Sequence, residues 1–146
     1  MVDQAYVERI AKRRAICARL MALVLLLTGL HDIAARHDFA QIGEMGRTAG
    51  AVWMVMIVLF VLFAGGGITR TPAMRAAIYD ESTIEHGRRA FALGFWIALV
   101  VCGASWIASL YTMIAGAEVA HAVVTVSVAV ALLRFATLEM RALRGE

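Results

Sequence analysis

Residues 91–113 read FALGFWIALVVCGASWIASLYTM, and residues 119–133 read VAHAVVTVSVAVALL. Neither run contains Asp, Glu, Lys or Arg. The first is long enough to cross a bilayer as a helix, which takes roughly 20 apolar residues. Residues 48–68, TAGAVWMVMIVLFVLFAGGGI, meet the same requirement. Residues 15–30 and 119–133 are shorter between charges, and reach full length when Arg19 and Arg134 extend toward the interface. The chain is 62% hydrophobic, with a mean hydropathy of +0.77. Soluble domains hold about 45–50% apolar residues. The expectation is an all-α membrane protein with four transmembrane helices, over about residues 4–35, 48–68, 82–113 and 117–143. All belong to one domain, 1–146.

The basic residues give an orientation. Twelve of the 14 lie in the N-terminal segment, the middle connection or the C-terminal segment, and only Arg36 and Arg47 lie between the first two helices. Both termini are therefore expected in the cytoplasm. The connection around residues 114–118 is short, which makes its helices antiparallel neighbours in an up-down bundle. The basic start resembles a signal peptide, but the run enters Gly29-Leu30-His31-Asp32 without a small-x-small cleavage site, so a retained first helix is expected. Cys17 and Cys102 read as small packing residues rather than a disulfide. Tyr6, Val7 and Ile10 make an amphipathic face that suits either anionic lipid or a protein partner. Trp53, Trp106 and Tyr111 suit an interfacial aromatic belt.

Two histidines are the main candidates for chemistry. His31 follows Arg19 by 12 residues and His121 precedes Arg134 by 13, so helical rise sets each roughly 18–20 Å from one membrane face. Two imidazoles at one level can ligate a haem iron. They can equally be polar caps facing water, hold another metal or sense protons. His37 is a substitute ligand, and His86 has no histidine partner at its level. Gly103 and Ser105 are small enough to let a macrocycle approach, although small residues also mediate ordinary helix packing. Arg36 and Arg47 are the cations available to propionates, while Asp32 and Arg36 also have the spacing of a surface pair. Thr28 and Thr125 lie one turn from the histidines, and Thr125 is expected to bond back to its own helix.

The histidine pair resembles the bis-histidine design of cytochrome b561-like four-helix membrane proteins, including those that oxidise superoxide. That resemblance implies one b-type haem bound by His31 and His121, and an oxidoreductase exchanging electrons between superoxide and quinone as one reading. There is no histidine on the second helix and no cytoplasmic-side pair, which limits the likeness to a single outer haem.

The stretch Asp80-Glu81-Ser82-Thr83, followed by His86, Arg88 and Arg89, resembles the middle loop of small four-helix bacterial inner-membrane proteins that accompany helix-turn-helix regulators. The resemblance implies a cytoplasmic partner, a DNA-binding regulator, engaged through Asp80, Glu81, Arg88 and Arg89 together with Arg13 and Arg14. Complementary charge at such a surface sets the register of docking. The same residues also suit a bland role, with the arginines as topology anchors and the acids favouring a helix N-terminus. No phosphate loop, Cys-x-x-Cys or activated nucleophile occurs, and no direct contact with nucleic acid is expected. The leading expectation is an inner-membrane redox sensor or regulatory subunit. A cofactor-free structural protein is the third reading, and self-association is left open.

Overall fold

The structure, a computed structural model, describes residues 4–34, 81–114 and 116–145. These form three helices: α1 (Gln4–Ala34), α2 (Glu81–Ser109) and α3 (Gly116–Ala142). The helix expected over residues 48–68 lies outside the described residues. Glu81–Ser109 and Glu118–Ala142 are long and apolar enough to cross a membrane.

α3 packs against both other helices, and the two seams have a simple register. Ala15 and Ala18 of α1 cluster with Ala136, Ala22 and Leu25 cluster with Ala129, and Gly29 meets Thr125. Each step up α1 is matched by an equal step down α3, so the two run antiparallel. On α1 the seam positions recur at alternating spacings of three and four residues, as in a coiled-coil stripe. Against α2, Gly94 lies on Ala131 and Ser127, and His86 reaches Glu139. These contacts give a second antiparallel register.

Small residues create both seams. A Cβ at Gly94 would stand 3.0 Å from the Ala131 Cβ and 3.1 Å from the Ser127 carbonyl oxygen. The buried apolar set among the described residues is six alanines and Leu25, with no large side chain fully enclosed. Large apolar groups lie outward instead, including Leu20, Leu27, Phe91, Phe95, Trp96, Val100 and Trp106. A water-soluble protein sorts its residues the other way. In lipid, where burying a leucine gains little, close backbone approach and dispersion hold helices together.

α2 ends at Ser109, four residues short of the expected boundary at 113. The amide and hydroxyl of Thr112 both donate to the Ala108 carbonyl, at 3.0 and 3.1 Å, and the Ser109 hydroxyl donates to Trp106 at 2.6 Å. These bonds satisfy carbonyls at the helix end, and the shorter spans from Leu110 to Ile107 and from Tyr111 to Ala108 tighten its last turn. Trp106 and Tyr111 are exposed at this end. Cys17 and Cys102 are also exposed among the described residues. Neither fills a seam, because both fall off the columns that face α3.

Candidate functional site

The most heavily tied polar residue is Glu139, in the last turns of α3. It continues the α3 column of Thr125, Ala129 and Ala136, so helical phase carries it into the seam. Its side chain is 5% exposed. A carboxylate so enclosed needs a counter-charge or hydrogen bonds to remain ionised. Arg14 of α1 supplies both, donating from Nη2 to Oε2 at 2.7 Å. The same nitrogen donates to the Thr83 hydroxyl of α2 at 3.2 Å. The guanidinium also stands 5.4 Å from the centre of the Phe135 ring, one turn before Glu139, where the ring's quadrupole favours a cation. His86, one turn after Thr83, places Nδ1 3.4 Å from Oε1 of Glu139. A proton on Nδ1 makes that approach a donation to the carboxylate.

One carboxylate thus joins three helices at the end where the basic residues collect. Arg14 lies 125 positions from Glu139 in sequence and His86 lies 53 from it. Arg14 was expected on a docking surface. It is instead turned into the helix interface, because Glu139 and Phe135 offer it charge and a ring face. Arg13, Glu81, Arg88 and Arg89 are exposed, and Asp80 lies outside the described residues. Arg89 pairs with Glu85 one turn earlier at 2.7 Å, an exposed pair of the kind that contributes little to stability. Beside the cluster, His86, Arg89, Leu138, Arg141 and Ala142 line an open groove of about 460 Å³ between α2 and α3.

At the opposite end, His121 is half-buried on α3, one turn from Thr125. The α2–α3 register sets Gly103 and Ser105 at its level. Ser105 is half-buried, whereas Gly103 is exposed and a Cβ there would meet nothing within 4 Å. His31 belongs to α1, within two residues of the level of His121 by the α1–α3 register, and its side chain lies outside the described residues. Arg36, His37 and Arg47 lie outside the described residues.

Two details bear on a macrocycle at this level. A Cβ at Gly29 would lie 2.7 Å from the Thr125 methyl, so α1 and α3 are in contact there and leave no room for a porphyrin between them. Thr125 itself is 4% exposed, and its hydroxyl finds no hydrogen-bond partner among the described residues. This differs from the expected back-bond, which Thr28, Ser127 and Thr137 do make. In Thr125 the methyl is committed to the glycine contact. Among the described residues there is no group of three or more His, Cys, Asp or Glu side chains placed to hold a metal.

Sequence reasoning overlooked Glu139 and Phe135, and it placed Thr83 and His86 in a distinctive stretch without assigning either a partner on α3. A signal was present: Glu139 falls on the helical column of Ala129 and Ala136, where an acid has no place unless a base faces it.

No family model matches this chain, and no curated protein or solved structure matches it.

Proposed function

We propose that this chain is a four-helix inner-membrane protein, with both termini in the cytoplasm, that acts as a regulatory subunit and relays a change in its outer half to a cytoplasmic partner. The observation that carries the reading is the Glu139 cluster. α3 contacts α1 and α2 along its length, and its buried carboxylate holds both by their basic ends. A displacement of α3 near His121 therefore changes which partners Glu139 can reach, and with them the spacing of the exposed Arg13, Arg88 and Arg89. The excess of basic residues at that end supports its cytoplasmic assignment.

The input we propose is the redox state of one b-type haem, ligated by His31 and His121. Their shared level supports it, and the Gly29–Thr125 contact leaves no room for the ring within the seam. When bound, a haem supplies a one-electron change of charge. The chain's own contribution is the half-buried His121 imidazole, the small surface of Gly103 and Ser105 at its level, and the helix that joins them to Glu139. The output we propose is contact with a DNA-binding regulator.

The test uses full-length protein in lipid nanodiscs, made in haem-replete cells. Optical spectra before and after dithionite read the haem, which His31→Ala and His121→Ala should each abolish. Spin labels at Arg13→Cys and Arg88→Cys, with Cys17 and Cys102 replaced by serine, read the spacing of the basic ends. The reading expects that spacing to differ between the oxidised and reduced protein, and the difference to vanish in Glu139→Gln. A colourless preparation overturns the haem input, and an unchanged spacing overturns the relay.

A further inference from the structure

We infer that the groove between the basic ends of α2 and α3 binds a phosphate group, with a phospholipid headgroup as its principal source. Two arginines from different helices, Arg89 and Arg141, line it together with His86, while Leu138 and Ala142 supply an apolar wall. Glu85 neutralises Arg89, and Glu139 is committed to Arg14 on the far side of His86. Arg141 therefore faces the groove with no carboxylate assigned to it in these pairs, and His86 borders the groove while its Nδ1 stays with Glu139. Arg89 and Arg141 bring guanidinium groups from two helices to one cleft, where a single anion can bridge them. Phosphate presents several acceptor oxygens to arginine forks.

The depth of the groove argues for lipid. The apolar run of α2 begins at Phe91, so His86 lies five residues outside it, about 7 Å along the helix. That distance matches the headgroup layer, which adds roughly 5–7 Å on each side of the hydrocarbon core. His86 belongs both to this groove and to the Glu139 cluster. A headgroup held against this ring therefore bears directly on the junction of all three helices.

The inference rests on the membrane placement proposed above but not on haem, so a colourless protein leaves it standing. The probe is phosphatidylglycerol in phosphatidylcholine nanodiscs containing the full chain. Lipid retained after gentle detergent extraction is read by native mass spectrometry. The parent should retain phosphatidylglycerol over phosphatidylcholine. Arg89→Gln with Arg141→Gln should lower retention about 25-fold, at about fivefold for each cation removed. Arg89→Lys with Arg141→Lys should keep most of it, which guards against misfolding as the cause. Arg13→Gln, an exposed basic-end charge outside the groove, should change retention less than about twofold. Equal loss in Arg13→Gln, or no loss in the groove double variant, overturns the site. If inorganic phosphate displaces the lipid and is itself retained by the parent but not the glutamine variant, the phosphate site stands with a soluble source.

Discussion

Glu139→Ala removes the carboxylate that meets Arg14 at 2.7 Å and leaves the guanidinium with Thr83 and the Phe135 ring but no counter-charge. At that separation and an effective dielectric of about 20, the gross attraction is about 6 kcal/mol. Desolvation offsets much of this, and losing one partner of a buried pair typically costs about 3–5 kcal/mol. The Arg14 side chain keeps 17% of its exposure, so the guanidinium can recover some water contact and the expected loss is about 3 kcal/mol. Arg14→Met should cost a similar amount, because Glu139 is the more deeply enclosed partner. The double variant Arg14→Met with Glu139→Leu removes both charges and fills the space with apolar groups. It should return to within about 1 kcal/mol of the parent. Unfolding in mixed micelles of rising dodecyl sulfate fraction, followed by tryptophan fluorescence and far-ultraviolet dichroism, measures all three. A double variant whose loss equals the sum of the single losses would refute the reasoning, since the two residues would then act independently.

Gly94→Ala should destabilise by about 1–3 kcal/mol, because its Cβ meets the Ala131 Cβ and the Ser127 carbonyl, neither of which can yield without moving α3; the same micelle titration reads it. Gly87→Ala in the same helix meets nothing within 4 Å, so it should be neutral or stabilising by up to about 1 kcal/mol from helix propensity. Arg89→Ala breaks only the exposed pair with Glu85 and should cost less than about 0.5 kcal/mol, which separates its effect on lipid retention from any loss of fold.

The helical segments were legible because apolar length is a one-dimensional signal. The runs at 91–113 and 119–133 need no partner to be recognised, since bilayer thickness alone selects them. The end of α2 was less so: Leu110, Tyr111 and Met113 are apolar enough to continue the helix, and the tighter bonds from Leu110 to Ile107 and from Tyr111 to Ala108 that mark the turn leave no trace in composition. The Glu139 cluster was hidden for a different reason. Counting arginines for orientation treats each as a solvent-facing charge, and Arg14 sits among Lys12, Arg13 and Arg19 with nothing in composition to distinguish it. What separates it is its position beside Ala15 at the edge of the α1 seam, opposite the one acid on the facing column. That is a relation between residues 125 positions apart, available only once two helices have a register.

The alanine seam carries a consequence for how that register is chosen. Sliding α3 along α1 by seven residues would set Ala18 against Ala129 and Ala11 against Ala136, small side chains again, and would crowd only Ala22 against the Thr125 methyl, where glycine now stands. Dispersion along the rest of such similar surfaces discriminates weakly between alignments. The slide would, however, part Arg14 from Glu139 by about 10 Å along the axis. The ion pair therefore works as an index mark on an otherwise repetitive ruler, the role in which a buried polar contact is best attested. Because α3 is synthesised after α1 and α2, the mark is read only when Glu139 arrives. Until then the first two helices have no fixed alignment to the third. A chain with both charges replaced by apolar groups would hold together as firmly, yet would populate more than one alignment.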